Sequence, residues 1–177
     1  NVIWKDLNIA DTSKPIYIMA ELYSYNSSAY VTNGNIFLTD GSNILSIILY
    51  GGSDSRCQIA TGTYTNGGTI NLSNILYNRS YSPSFTMTTK VYIKLSSTTS
   101  GFDTVSVVAI QQGSTIEYTL YSGSITPLSS LKALFSCKEV VTSYTTLDII
   151  FYYCVVSNFD LTGSYIDYTP VSAEATY

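Results

Sequence analysis

Histidine is absent from this chain, and that absence alone removes much of enzyme chemistry from consideration. Without an imidazole there is no Ser-His-Asp or Cys-His nucleophile and no histidine-ligated zinc. Charge is nearly as scarce. Lys, Arg, Asp and Glu make up 11% of the 177 residues, less than half the usual share of about 25%. The eight basic residues are scattered from Lys5 to Lys138 and the net charge is −4. No basic stripe is left to follow a phosphate backbone, which excludes nucleic acid as a partner. No run of about 18 apolar residues occurs, which excludes a membrane-spanning helix. Only three cysteines are present, with no CxxC or metal-ligand spacing, so neither a metal site nor a cofactor is expected.

With so few charges, the polar surface must come from Ser, Thr, Asn and above all Tyr, of which there are 17. Tyrosine favours strands and interfaces where one end of the ring is apolar and the other wet. Three sequons, at Asn26, Asn71 and Asn78, would accept N-glycans in a secreted protein. The chain opens on Asn1 rather than Met, which fits either removal of a leader or a start inside a longer chain. Low charge and sequons together predict a secreted protein at an extracellular surface.

Strand signals run from end to end. Residues 1–9 form a first extended segment, and Pro15 precedes IYIMAELYSY, in which Ile16, Ile18 and Ala20 share one face and Tyr17, Met19 and Glu21 the other. Asn33-Gly34 reads as a turn. Asp40-Gly41 joins NIFLTD to NILSIILYG as a hairpin, since glycine accepts the positive φ such a turn needs. TINLSNILYN is ambiguous between strand and helical turn. VYIKLS places Val91, Ile93 and Leu95 against Tyr92 and Lys94, and the runs either side of Gly113 form a further hairpin, with Ile116, Tyr118 and Leu120 alternating against Glu117, Thr119 and Tyr121. The segment SSLKALF, residues 129–135, is the one helix start, worth at most a short turn. The dense run LDIIFYYCVVSNFDL predicts a central strand, covered on both faces. About ten strands with regular turn signals, and no repeat or linker, predict a single all-β domain over residues 1–177, an antiparallel two-sheet sandwich of jelly-roll type.

Groups able to do chemistry are few. Glu21, Asp40, Asp54, Asp103, Glu117 and Asp148 lie on or beside strands, and two at the right separation would make a glycosidase pair. Twelve acids on any surface of this size produce near pairs by chance, so no catalytic residue and no enzymatic activity are assigned. Asp40-Gly41-Ser42-Asn43 and Gly52-Ser53-Asp54 carry oxygen ligands of the kind calcium takes, but turn formation explains them equally. Cys137 and Cys154 sit in apolar strand-like runs and are a candidate disulfide. The alternative is that all three cysteines are small buried hydrophobes with free thiols. Tyr23, Tyr25, Tyr30, Tyr50 and Tyr64 either pack across strands or offer a surface to a partner.

The layout of IYIMAEL, GNIFLTDGSNILSIILYG, VYIKLSS, DTVSVVAIQQGSTIEYTL and IIFYYCVVSNFDL resembles the concanavalin-A-like lectin and laminin-G type of jelly roll, over residues 1–163. The resemblance implies the fold. No acidic loop matches that family's calcium and sugar ligands, and the E-x-D-x-x-E cluster of its glucanase members is absent. In composition the chain also resembles secreted surface proteins of thermoacidophilic archaea, including thread-like filament subunits. That resemblance implies assembly in which one subunit's terminal strand completes the next subunit's sheet. Residues 1–10 would then be an exchangeable strand anchored by Val2, Ile3, Trp4, Leu7 and Ile9, the alternative being an ordinary edge strand of the chain's own sandwich. The expected function is a non-catalytic subunit of an extracellular filament or surface layer, self-assembling into a homopolymer. A lectin-like glycan-binding module is the alternative, and a viral capsid or spike jelly roll a further one.

Overall fold

The structure, a computed structural model, describes residues 2–24, 31–52, 56–65, 69–80, 89–111, 116–139 and 149–157. Eleven strands are present and, among the described residues, no helix: β1 (Val2–Ile9), β2 (Ile16–Ser24), β3 (Val31–Thr39), β4 (Asn43–Gly52), β5 (Arg56–Thr65), β6 (Thr69–Ser80), β7 (Thr89–Ser96), β8 (Phe102–Gln111), β9 (Glu117–Leu128), β10 (Leu131–Glu139) and β11 (Ile149–Ser157). They form two antiparallel sheets. The larger has the order β1-β10-β3-β4-β5-β6 and the smaller β11-β2-β7-β8-β9. The all-β, two-sheet reading of the sequence is therefore met.

Period-two alternation sends the aliphatic side chains of each sheet to the inside. Leu45, Ile47 and Leu49 of β4 enter the shared core while Ile44, Ser46 and Ile48 turn away from it. Ile16, Ile18 and Ala20 meet Val91, Ile93 and Leu95 on neighbouring strands, as their spacing predicts, and Val105, Val107 and Ala109 extend the row along β8. Each fully buried aliphatic side chain contributes about 1.5–3 kcal/mol relative to exposure.

The hairpin at Asp40-Gly41 forms as expected, with Gly41 at φ +100°. The Asp40 carboxylate fixes it. Oδ1 accepts the backbone N–H groups of Ser42 (2.9 Å) and Asn43 (2.8 Å), and Oδ2 accepts the N–H (3.1 Å) and hydroxyl (3.3 Å) of Ser129. Ser129 lies at the corner where the chain leaves β9 in the smaller sheet for β10 in the larger one. One carboxylate thus holds a hairpin of one sheet against the crossover from the other, and its lone pairs are taken up by protein donors rather than left for a cation.

Four sequence expectations are corrected. Residues 129–135 are not a helical turn: Ser129 and Ser130 form a bend, and Leu131 begins β10, whose backbone pairs with β1 on one side and β3 on the other. A helix there would forfeit both ladders. Asn33-Gly34 is not a turn either, because both residues are paired within β3 to β4 and β10. Among the described residues the apolar run near the end does not take a central place in its sheet. Among the described residues β11 pairs only with β2 and stands at the sheet's edge. In β9, the alternation reaches Tyr118 and Leu120 and then fails. A register shift opposite Val107 and Val108 brings Tyr121 against the core as well, while Ile116 is exposed. The ambiguous TINLSNILYN is strand β6.

Two substitutions test this packing. A Cβ on Gly62 would collide with the β6 backbone, meeting the Asn71 carbonyl oxygen and coming within 2.8 Å of Leu72 Cα. Gly62→Ala should cost about 1–3 kcal/mol, read as a lower urea midpoint. Ser46 is fully buried on the outward face of β4, and among the described residues its hydroxyl has no hydrogen-bond partner. Ser46→Ala should be neutral or stabilising by about 1 kcal/mol, and a loss of that size would mean the hydroxyl is satisfied after all.

Candidate functional site

The outward face of the smaller sheet divides into an apolar strip and a polar cleft. Met19 and Tyr92 are buried in the strip, with Tyr17, Val108 and Ile110 packed against them. Beside it, a cleft of about 300 Å³ is lined by Lys94, Ser96, Thr104, Val105, Ser106, Ser122, Gly123 and Ser124. The register explains the convergence. Lys94 pairs with Ser106 and Ser106 with Ser122, while Ser96 pairs with Thr104 and Thr104 with Ser124. Cross-strand partners point the same way, so alternate polar residues of three strands become a floor of hydroxyls. Lys94 stands at the junction with the strip, its ammonium 5.5 Å from the centroid of the Tyr17 ring, within cation–π range.

A buried anchor fixes one end of the cleft. Asp103 is the second residue of β8, and its Oδ1 accepts the Thr98 N–H (2.8 Å) while Oδ2 accepts the Thr98 hydroxyl (2.8 Å), the Thr99 N–H (3.0 Å) and the Thr99 hydroxyl (2.9 Å). The Thr98 hydroxyl leads these donors in pulling the carboxyl down to about 2 from 3.8. The polar loop read between Ser96 and Gly101 is therefore clamped, and the Thr104 hydroxyl closes it by donating to the Ser96 carbonyl (3.1 Å).

The face of the larger sheet that turns away from the core is mostly apolar. Phe37 and Ile44 are buried there beneath Tyr64, Ile70 and Leu72. Asn35, 5% exposed, and Ser46 lie near this cluster, and among the described residues Asn35 Oδ1 and Ser46 Oγ have no hydrogen-bond partner.

The structure scatters the residues singled out in the sequence. Asn71 and Asn78 are both exposed on β6, and Asn26 lies outside the described residues. The segment with Val2, Ile3, Trp4, Leu7 and Ile9 is β1, paired with β10 of its own sandwich, with Leu7 and Ile9 half-buried against the main core. The side chains of Val2, Ile3 and Trp4 lie outside the described residues, as do those of Cys137 and Cys154. The strands bearing these two cysteines, β10 and β11, are in different sheets. Cys57 is a free thiol, fully buried, and burial pushes its pKa up, which suits a small hydrophobe rather than a nucleophile. Asp40 and Asp103 are spent on structure. Asp54 and Asp148 lie outside the described residues, and no group of three or more metal-ligating side chains forms among those described. Tyr64 packs on the larger sheet, while the side chains of Tyr23, Tyr25, Tyr30 and Tyr50 are outside the described residues.

The cleft residues were not singled out in the sequence. The available signal was a period-two polar pattern, K-x-S in β7, T-x-S in β8 and S-x-S in β9.

Asp103 gives the site a pH signature. Its folded pKa lies below the unfolded value of 3.8, so its stabilising effect is complete above that value and is lost as pH falls towards about 2. Asp103→Asn should lower the melting temperature at neutral pH and flatten its fall between those limits. Some slope should remain, because the Asp40 carboxyl is also lowered: partial burial raises it, but the N–H groups of Asn43, Ser129 and Ser42 outweigh that. Identical acid limbs for the two proteins would contradict the clamp.

No protein-family model matches the chain, and no curated protein matches it in sequence. Solved structures do. A sheep galectin-11 aligns at 8% identity with a TM-score of 0.55, covering 89% of this chain and 98% of its own. A GH43 glycoside hydrolase gives a TM-score of 0.45 at 9% identity, covering 84% of this chain and 30% of that one. The scytalido-glutamic peptidase gives 0.44 at 11%, covering 85% and 77%. At such identities the likeness is one of fold alone, and with the strand order above it makes the chain a two-sheet β-sandwich of galectin-like, concanavalin-A-like layout.

Proposed function

We propose that this chain is a non-catalytic, lectin-like module that binds a saccharide outside the cell, in the cleft of the smaller sheet. The observation that carries this reading is the cleft's composition. A sugar ring presents hydroxyls at its rim and apolar C–H groups on its faces. The cleft offers five hydroxyl side chains and one ammonium beside the strip of Tyr17, Met19 and Tyr92. Its volume lies at the lower end of the range for small-molecule sites, about 300–1,000 Å³, which suits one or two sugar units. No carboxylate lines it, so the paired acids that glycoside cleavage uses are missing from this position. The galectin likeness supplies the fold to this argument and not the site.

The rival reading, a filament or surface-layer subunit assembled by strand exchange, requires β1 to leave β10, with which it pairs from Val2 to Ile9. The exposed connector at Ala10, Asp11, Ser13 and Lys14 would permit such a release, but the closed arrangement favours the binding module.

A glycan array probed with the full chain tests the proposal. Binding should concentrate on one class of saccharide. Lys94→Gln should weaken it about tenfold or more, the scale of one charge-assisted hydrogen bond. Ser122→Leu, which fills the cleft without touching the core, should abolish it. Retention of no saccharide, or binding indifferent to both substitutions, would refute the site.

A further inference from the structure

The strand at one end of the larger sheet, β6, carries two of the three sequons, Asn71-Leu72-Ser73 and Asn78-Arg79-Ser80. Among the described residues nothing pairs with its outer side. Exposed edges of this kind are templates for pairing with a second chain, and proteins blunt them with charge, proline or short length. β6 has little of that protection. It is 12 residues long, has no proline and has Arg79 as its one charge. Arg79 lies 5.9 Å from the centroid of the Tyr77 ring, and Ile75, midway between the sequons, is 57% exposed. Two register shifts against β5, between Ile59 and Ala60 and between Thr61 and Gly62, bend the strand without removing its open side. Asn71 and Asn78 are both exposed on it.

We infer that Asn71 and Asn78 carry N-linked glycans, and that these glycans are the guard of the β6 edge. The inference rests on the extracellular address in the proposed function, but not on the cleft. The modification needs a polyprenyl-diphosphate-linked oligosaccharide as donor. The side-chain amide nitrogen of each Asn bonds to the anomeric carbon, the bond from that carbon to the diphosphate oxygen breaks, the amide loses one proton, and polyprenyl diphosphate departs. Glycans at both positions flank Ile75. They leave no room for a second copy to lay its own β6 alongside, and an unguarded edge takes that second copy.

The test secretes the full chain from a glycosylating host and reads both asparagines by peptide mass. Both should carry sugar. Ser73→Ala with Ser80→Ala removes both sequons while keeping both asparagines, and light scattering after size exclusion should then show dimers or larger species where the glycoprotein is monomeric. Adding Ile75→Lys to that variant should restore the monomer. Trimming the folded glycoprotein with an endoglycosidase gives the same readout without a new fold to form. An unmodified Asn71 or Asn78 in the secreted chain would overturn the inference. A sequon-free or trimmed chain that stays monomeric would overturn the guarding role. Saccharide binding in the cleft is measured separately, so its failure leaves this result readable.

Discussion

Everything in this molecule depends on two sheets pressing their aliphatic faces together. Residues such as Ile18, Leu38, Leu45, Ile47, Ile59, Ile93, Leu95, Phe102 and Leu128 are almost wholly removed from water in one continuous core. Burial of this kind is non-directional, and it leaves the backbone ladders to set geometry. With the inner faces committed, every alternate residue is placed on an outer face held by rigid strands. Hence a surface so poor in charge can still present an ordered array of hydroxyls. The two structural carboxylates serve the same end. Asp40 pins a hairpin of the larger sheet to the β9–β10 crossover, and Asp103 pins the loop between β7 and β8.

The inward faces were legible in the sequence because a strand's period is two whatever its neighbours. The spacing of Ile16, Ile18 and Ala20, or of Val91, Ile93 and Leu95, needs no knowledge of the partner strand. The hairpin at Gly41 was legible for an equally local reason. Tertiary pairing defeated the other local signals. Asn33-Gly34 carries a turn composition, yet ladders on both sides draw it into β3, and the same force makes a strand of residues 131–139. The run at β11 failed differently. Apolar density reports how well a strand's faces are covered, whereas its place in the sheet is decided by hydrogen bonding along its edges, to which composition is blind.

The site was illegible for a related reason. Lys94, Ser106 and Ser122 are spread over three strands and become neighbours only through register. One sequence shows each polar residue as an ordinary outward position. The termini, the tyrosines and the sequons are where the unusual composition is most visible instead. Of these, the sequons on β6 gain meaning from topology, since both fall on a strand at an edge of the larger sheet.

The cleft, the β6 edge and the pairing of β1 with β10 describe a sandwich whose polar cleft sits on strands held by a shared core. The most direct test is amide chemical-shift mapping of the full chain, titrated with its best-bound saccharide. Shifts should concentrate at Lys94, Ser96, Thr104, Ser106 and Ser122 to Ser124, with Tyr17 at their border. Shifts confined to the face of the larger sheet around Asn35 and Ser46, or to strand ends alone, would contradict the assignment of binding to the cleft.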